Sequence, residues 1–251
     1  MEIRIESRKN PLLQQVRKLL TSRRDREQQG LYVAEGTKLL QEAVRHCRLL
    51  HTVILADGVE VEGVPAHVRV YRVSREIMAS LSSQDAPQGA LFLCQIPQQT
   101  EYKPQRGSLI LDGIQDPGNL GTILRTADAL DVPVVLLEGC ADIYNSKTIR
   151  SSMGATFRVP VVRSNWEEVS AACKACGVPI GVTALSDTAV DIRAAMPENM
   201  AVVIGSEGRG VRPEILQRAE HQLIIPMNPH CESLNAAVAA SIVMWQMVCR
   251  R

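Results

Sequence analysis

Residues 108–139 read SLILDGIQDPGNLGTILRTADALDVPVVLLEG, and this strand–helix–strand pattern decides the fold. Apolar runs at 108–114 and 133–139 flank a segment, 119–130, in which apolar residues recur at helical spacing. Uninterrupted apolar runs are typical of parallel strands that are covered on both faces. Because strands and helices keep alternating through residue 248, the sequence predicts an α/β domain built on a parallel sheet.

A shorter alternation occupies the N-terminal part of the sequence. Helical spacing at 10–30 ends at Gly30, and a second helix starts at Thr37, which we expect to be its cap. The expected strands are 31–36, 51–56, 68–73 and 89–96. The segment PQQTEYKPQRGS at 97–108 then breaks the pattern with prolines, glutamines and a glycine. We therefore predict a small α/β domain, a linker and a second domain at 1–100, 101–107 and 108–251.

The net charge of +1 conceals an asymmetry along the chain. Residues 1–106 contain 16 Lys and Arg against 12 Asp and Glu, whereas residues 107–251 contain 12 against 15. The basic excess is steepest at the start of the chain, where it would attract a polyanion such as RNA, although a solvated helix face would have a similar composition. The candidate RNA-binding residues are Arg8, Lys9, Arg17, Lys18, Arg23 and Arg24.

Several classes of protein find little support in this sequence. The glycines of GSEGRG at 205–210 do not follow the dinucleotide-binding fingerprint, and no P-loop motif occurs, which argues against dehydrogenases and P-loop NTPases. Aromatic residues make up 3% of the chain, too few for a base-stacking platform of the single-strand-binding kind. The start of the chain lacks the apolar region of a signal peptide, and the apolar stretch 234–248 is too short to span a bilayer.

The seven cysteines are scattered along the chain. Cys173 and Cys176 form a CxxC pair, but the pair lies in an amphipathic helical segment that ends at Gly177, and neither a second CxxC nor a His pair at ligand spacing accompanies it. We expect structural, reduced thiols and no metal, which fits a cytoplasmic protein without membrane contacts.

Three loops that follow predicted strands are candidates for a ligand site, because ligands of open parallel sheets bind beyond the carboxyl ends of the strands. In the first loop, Asn119 precedes a predicted helix that carries Arg125, and both reach one cleft only if Asn119 is the helix cap. The second loop has three glycines and Glu207, and the third has Ser233 and Asn235 before the last helix. Each loop alone would be an ordinary glycine or polar turn.

The three loops together resemble a known family. NLGTILRTADA (119–129), IGSEGRGV (204–211) and IPMNPHCESLNAAVAASI (225–242) are similar, in this order, to the three motifs of the SpoU (TrmH-like) branch of the SPOUT methyltransferases. SSMGATFRVPV at 151–161 matches the intervening helix and strand, so that the resemblance covers 108–251. SRKNP, the basic helix and YVAEGTKLLQEA resemble the ribosomal-protein-like substrate-binding domain of rRNA-type members, over residues 3–100.

The resemblance implies a fold, an activity and a set of residues. The second domain would be a SPOUT domain with a deep trefoil knot, working as a homodimer that 2′-O-methylates a ribose with S-adenosylmethionine, in ribosomal RNA rather than transfer RNA. The motif residues with catalytic roles would be Arg125, Asn119, Glu207, Ser233 and Asn235. The cofactor-binding residues would be Thr183, Ala184, Gly205, Gly208, Ile225, Met227 and Leu234.

Roles within this set follow from the chemistry of the side chains. The family proposal gives Arg125 the activation of the ribose hydroxyl, sometimes as a general base; because a guanidinium stays protonated, we expect it to fix a phosphate and stabilise the developing alkoxide. The asparagines would orient the ribose, and Glu207 and Ser233 would hold the site or position Arg125. Lys147 and Arg150 could face RNA phosphates or be solvated surface residues.

Other interpretations stay open at this point. A tRNA ribose methyltransferase, a SPOUT enzyme that methylates a base, and a non-catalytic RNA-binding member of the fold would share most of these features. The helix at 234–248 is apolar almost all round, which favours a dimer interface, and we expect Val243 to lie at its exposed edge.

Overall fold

The computed structural model describes residues 2–104, 107–195 and 199–249. The chain divides into two units, each with its own sheet. The first unit runs through Gln98 and also takes in Asp142–Arg158. The second consists of Gln99–Ala141 and the chain from Val159 onward. None of the described helices is both long and apolar enough to cross a membrane.

The first unit contains a five-stranded mixed sheet in its described part. The strands are β1 (Glu2–Ile5), β2 (Leu31–Glu35), β3 (Leu50–Ala56), β4 (Arg69–Val73) and β5 (Ala90–Gln95), in the order β1-β4-β3-β5-β2. β1, β4 and β3 are parallel, whereas β5 pairs antiparallel with both β3 and β2. The helices are α1 (Pro11–Thr21), α2 (Arg23–Gln29), α3 (Thr37–His46) and α4 (Arg75–Leu81). Leu13, Val16 and Leu19 of α1 pack into the core of this unit, as their helical spacing predicts.

Three details of this unit differ from the sequence-based prediction. The segment 10–30 forms two helices rather than one, because the Ser22 hydroxyl accepts the Asp25 N–H and starts α2. Gly36, and not Thr37, is the cap residue of α3. β1 is an additional strand; it is four residues long and mostly exposed, so that it lacks the apolar run that marks the other strands.

The second unit contains a seven-stranded sheet, within the described ranges, whose strand pairs are all parallel. The strands are β6 (Leu109–Asp112), β7 (Val134–Leu136), β8 (Val161–Arg163), β9 (Ile180–Thr183), β10 (Val190–Asp191), β11 (Ala201–Gly205) and β12 (His221–Ile224). Their order is β10-β12-β9-β11-β6-β7-β8. The helices are α5 (Pro117–Leu130), α6 (Ser146–Ser152), α7 (Trp166–Cys176), α8 (Ile192–Ala195), α9 (Pro213–Leu216) and α10 (Ala236–Val248), of which α6 belongs to the first unit. The prediction of a parallel α/β domain is confirmed.

The segment 142–158, which connects β7 to β8, is part of the first unit. Asp142 forms a buried ion pair with Arg26 at 2.8 Å, with side chains 9% and 5% exposed. Tyr144 stacks on Tyr32 with ring centroids 4.6 Å apart. The sequence pattern alone grouped this segment with 108–251, because the segment carries no composition change that would mark it.

The CxxC pair lies on α7 in two different environments. Cys173 is buried in the core of the second unit, where burial raises the pKa of its thiol, and Cys176 is exposed. The Tyr102 hydroxyl lies 3.8 Å from the Cys173 sulfur. Among the described residues, no group of three or more His, Cys, Asp and Glu is arranged to hold a metal ion.

Candidate active site

The sheet order brings the first and second motifs together. β6 and β11 are neighbours at the centre of the second sheet, and their register places Gly205 opposite Asp112. Because the two strands are parallel, the loops that follow them leave the same edge of the sheet.

Asp116, and not Asn119, caps α5. The Asp116 carboxylate accepts the Asn119 N–H at 2.8 Å, and Pro117 occupies the first turn, where its missing N–H costs nothing. Asn119 therefore lies inside the helix, and the expectation that it would be the cap is wrong. Arg125 lies about 1.7 turns further along the same helix, on a different side. Its side chain is exposed and has no ion pair or hydrogen bond with any residue that the structure describes.

A chain of hydrogen bonds joins the three motifs. Asn235 caps α10, and its Oδ1 accepts the N–H groups of Ala237 and Val238 at 2.9 and 3.3 Å. Its Nδ2 donates to Asn119 Oδ1 at 3.0 Å, and Asn119 Nδ2 donates to Glu207 Oε1 at 2.7 Å. Because the backbone fixes which end of the Asn235 amide accepts, both amides have one orientation, and the chain of donors ends on a carboxylate.

A cavity of about 630 Å³ lies beside this chain of hydrogen bonds, beyond the ends of β9, β11 and β12. Glu207 and Ser233 line it, whereas Asn119, Arg125 and Asn235 are not among its lining residues. All seven residues that the resemblance assigns to the cofactor line this cavity: Thr183, Ala184, Gly205, Gly208, Ile225, Met227 and Leu234. A test of their predicted role in cofactor binding therefore concerns this one cavity.

Gly205 and Gly208 of the second motif are explained by different physical requirements. A Cβ on Gly205 would come within 2.0 Å of the Gly210 carbonyl carbon, because Ser206 and Gly210 pair through two backbone hydrogen bonds of 3.0 Å in a tight turn. A Cβ on Gly208 would meet nothing within 4 Å. Gly205 is thus required by the packing of the loop, whereas Gly208 leaves space open at the cavity.

The sequence did not reveal the ion pair that anchors the far end of this loop. Asp112, 2% exposed at the end of β6, accepts the Arg212 backbone N–H at 2.8 Å and its Nε at 2.7 Å. The sequence did contain one signal for this pair: Asp112 is a single carboxylate at the end of an apolar strand. A carboxylate buried in that position requires a partner. The pair fixes the loop 205–212 against β6.

Helix α10 exposes a different face from the one expected. Val243 is 0% exposed, so that its assignment to an exposed edge is wrong; Ala240, Val243 and Met247 face the core. The exposed apolar residues are Val238, Ile242 and Trp245, of which Trp245 is 60% exposed. The Thr126 and Ser241 hydroxyls lie 3.0 Å apart and join α5 to α10.

The predicted RNA-binding residues lie on and before α1 and α2. Five side chains are exposed, and Arg17 is half-buried, where it donates to the Arg8 carbonyl at 3.0 Å. Arg23 pairs with Glu27 at 2.8 Å, and Arg8 lies 4.0 Å from Glu76. The exposed members without an acidic neighbour within the described residues are Lys9, Lys18 and Arg24.

Comparison with known proteins agrees with this fold. The model of the SpoU rRNA Methylase family matches residues 107–245, and that of the MRM3-like substrate binding domain matches 10–91. A curated relative from Bacillus subtilis, 23S rRNA (guanosine(2553)-2'-O)-methyltransferase RlmP, is 33% identical over 97% of this chain and 98% of its own.

Solved structures extend the similarity to both units. The AdoMet-bound rRNA methyltransferase from Sinorhizobium meliloti has a TM-score of 0.87 and 28% identity, over 98% of this chain and 97% of its own. The SpoU methyltransferase AviRb from Streptomyces viridochromogenes, in complex with AdoMet, has a TM-score of 0.84 and 25% identity, over 96% and 98%.

The fold and the site thus define an RNA methyltransferase with a parallel α/β catalytic domain. The chain belongs to the SpoU rRNA methylase family. The family expected from the three motifs is confirmed, and so is the expected arrangement of a parallel α/β domain with a smaller N-terminal one.

Proposed function

We propose that this protein transfers the methyl group of S-adenosylmethionine to a ribose 2′-hydroxyl of ribosomal RNA. The observation that carries the proposal is the oriented chain Asn235–Asn119–Glu207, which ends at the wall of the cavity. It unites residues from three separate motifs in one polar constellation. The relative RlmP, by its name a 23S rRNA 2'-O-methyltransferase, supports ribose as the target and ribosomal RNA as the substrate.

The cavity suits S-adenosylmethionine. Its volume of about 630 Å³ falls in the range of about 300–1,000 Å³ that small-molecule sites occupy. Its walls combine apolar side chains such as Ile204, Leu223 and Leu234 with the backbone of a glycine turn, as an adenine ring and a polar amino-acid moiety require. The structures of SpoU relatives with AdoMet bound support the same cofactor. When bound, the cofactor supplies the methyl group as an electrophilic sulfonium.

Arg125 is the residue that we assign to the reacting hydroxyl. A ribose hydroxyl becomes a good nucleophile when its proton leaves and the developing charge is stabilised. The Arg125 side chain is exposed and unpaired within the described residues, so that its guanidinium is available to the substrate. Because it lies on a different side of α5 from Asn119 and does not line the cavity of its own chain, we assign its action to the site of the partner subunit in the dimer proposed below. As a permanent cation it fixes a neighbouring phosphate and stabilises the alkoxide, while the proton passes to water or a phosphate oxygen.

Glu207 acts on Asn119 rather than on Arg125. Its carboxylate already accepts the Asn119 amide at 2.7 Å, and Glu207 and Arg125 form neither a hydrogen bond nor an ion pair with each other. Glu207 and Asn235 together hold the Asn119 side chain, so that the two asparagines present a fixed polar edge to the ribose. Ser233 lines the cavity and belongs to the site as a cofactor-side group.

The exposed apolar face of α10 is where we place the dimer. Val238, Ile242 and Trp245 line a groove with Thr122 of α5, and a monomer would leave these side chains in water. A second copy of the chain, related by a two-fold axis, would cover this face and place each Arg125 near the partner subunit. The knot expected from the resemblance would form by passage of the last stretch of the chain through an earlier loop.

The N-terminal domain, residues 1–100 with a linker at 101–107, is the RNA-capture module in this proposal. The match to a substrate-binding domain and the exposed cations on α1 and α2 support it. We propose a cytoplasmic location, which an rRNA substrate and the bacterial relative RlmP support.

Transfer of a radiolabelled methyl group from S-adenosylmethionine to unmodified ribosomal RNA, followed by mapping of the product, tests the proposal. A 2′-O-methyl group makes its phosphodiester resistant to alkali, whereas a base methyl does not. Alkali-resistant label is the expected result. Label in the base fraction would identify a base methyltransferase, and cofactor binding without transfer to any RNA would identify a non-catalytic member of the family.

A further inference from the structure

A second cavity, of about 570 Å³, lies in the first unit at the start of α3. We name it the α3 cavity; the residues used below are Glu35, Lys38, Glu42, Gln84, Gln88, Arg150 and Met153, all of which line it. They come from three separate stretches of the chain, and the site is distinct from the cofactor cavity of the second unit.

The carboxylates of the α3 cavity are already engaged. Glu35 is buried and accepts the Ser83 N–H and hydroxyl, both at 3.2 Å, as well as the Ser82 hydroxyl. Glu42, at the rim, pairs with Arg158 at 2.8 Å. Glu42 is therefore neutralised by Arg158, whereas Glu35 is held by serine donors alone and has no cationic partner within the described residues.

The cations of the cavity have no acidic partner. Arg150 donates from Nη1 to the Ser83 hydroxyl at 2.9 Å, which fixes the guanidinium without neutralising it. Lys38 is exposed, and within the ranges that the structure describes neither cation forms an ion pair. Lys38 and Arg150 are thus two cations against the one unpaired carboxylate of Glu35, from which the Ser83 hydroxyl separates Arg150, and this excess of positive charge favours an anionic ligand.

The remaining lining groups suit a nucleobase. Gln88 Oε1 accepts the Thr37 N–H at 3.1 Å and the Thr37 hydroxyl at 3.4 Å, so that its amide nitrogen remains to donate to a ligand. The Gln84 side-chain amide has no hydrogen-bond partner within the described residues and can pair with a base edge in two directions. Met153 lines the cavity and is 53% exposed, so that its thioether is available as an apolar contact for a ring face.

We propose that the α3 cavity binds one unpaired nucleotide of the RNA substrate, with its phosphate at Lys38 and Arg150 and its base edge at Gln84 and Gln88. The inference rests on the proposed function, since the ligand belongs to the RNA that the enzyme methylates. An unpaired nucleotide is required, because a base in a helix is stacked and cannot enter a cavity.

Methyl NMR of the full-length protein tests this site. The protein carries ¹³C-labelled methionine methyl groups and is saturated with S-adenosylhomocysteine, so that nucleotides cannot occupy the cofactor cavity. The Met153 signal is identified by its loss in Met153→Leu. AMP, GMP, CMP, UMP and inorganic phosphate are then added in separate titrations. At least one nucleotide is expected to shift the Met153 signal in a saturable manner while the signal of Met227, in the cofactor cavity, stays fixed.

Matched variants of two exposed cations identify the phosphate contact. Lys38→Ala should weaken nucleotide binding at least about fivefold, whereas Arg48→Ala, an exposed cation that follows α3 and lies outside the cavity, should change it less than about twofold. Wild-type affinity in Lys38→Ala, a Met153 signal that no nucleotide moves, or an equal response to inorganic phosphate would each overturn the nucleotide site.

The same preparation, without S-adenosylhomocysteine, is assayed for methyl transfer to ribosomal RNA. Methyl transfer to RNA together with a Met153 signal that no nucleotide shifts would contradict this inference and leave the proposed function standing. A responsive Met153 without transfer supports the nucleotide site and contradicts the proposed function.

Discussion

Asn119 donates its side-chain amide to Glu207 across 2.7 Å, although the two residues lie 88 positions apart in the chain. The contact exists because β6 and β11 are parallel neighbours, so that the loops after them meet. The contact assigns Glu207 the role of positioning Asn119 through a hydrogen bond. Loss of the negative charge and loss of this hydrogen bond should therefore affect methyl transfer to different extents.

Glu207→Gln should keep methyl transfer within about fivefold of wild type, since an amide oxygen still accepts from Asn119. Glu207→Ala should reduce it at least tenfold, the effect of losing about 1.4 kcal/mol of positioning. Steady-state kinetics with ribosomal RNA measure both variants. Equal, large losses in the two would show that the charge itself is needed, and would contradict the positioning role.

Arg125→Ala should lower the rate of methyl transfer at least about a hundredfold, because it removes the cation that stabilises the developing alkoxide. Binding of S-adenosylmethionine, measured by calorimetry, should stay near wild type, since Arg125 does not line the cofactor cavity. Lys174→Ala, which removes an exposed cation from α7, is the matched control and should have wild-type activity. Near-normal turnover in Arg125→Ala would refute the assignment.

Most elements of the second unit could be predicted from the sequence with small errors in their bounds, since apolar strands and periodic helices are local patterns. The strand β10 and the helix α8 were missed, because two and four residues are too few to show a period. The residues that line the cavity followed from motif resemblance. Side-chain partners did not: the Asp112–Arg212 pair, the cap at Asp116 and the packing of 142–158 with the first unit depend on tertiary contacts. For the same reason the apolar pattern of α10 could not tell the buried Val243 from the exposed Trp245.

Two substitutions on α10 should therefore have different consequences, one for the dimer and one for the fold. Trp245→Glu places a charge on the exposed face, so that it should yield a folded, inactive monomer if a second copy covers this face. Val243→Glu buries a charge in the core and should destabilise the fold by several kcal/mol. Sedimentation and thermal unfolding of each variant are the measurements. An active, dimeric Trp245→Glu protein would place the dimer interface elsewhere.

Cys47 should be the most reactive thiol of the first unit near neutral pH. The hydrogen bond from the buried Cys94 side chain lowers the pKa of Cys47 to about 7, whereas burial raises that of Cys94. Thiolates react with iodoacetamide and thiols do not, so that alkylation of Cys47 should rise through pH 7 and level off above it. Mass spectrometry after timed alkylation gives the profile. In Cys94→Ala the midpoint should move to higher pH; an unchanged midpoint would show that Cys94 is not the cause.

RNA capture by the N-terminal module is best tested in the full chain rather than in a fragment. A fragment of 107–251 would strip Tyr144 and Asp142 of their partners Tyr32 and Arg26, so that a loss of RNA binding could reflect misfolding. Charge reversal of exposed residues avoids this problem.

Lys18→Glu combined with Arg24→Glu should weaken binding to ribosomal RNA at least about tenfold at moderate salt and reduce the slope of log K against log salt by about two, one for each lost phosphate contact. Lys174→Glu combined with Arg218→Glu changes the net charge equally, on exposed positions of the second unit, and should weaken binding less than about threefold. Filter binding over a range of salt concentrations measures both pairs. Equal losses in the two pairs would mean that overall charge, and not the surface of α1 and α2, captures the RNA.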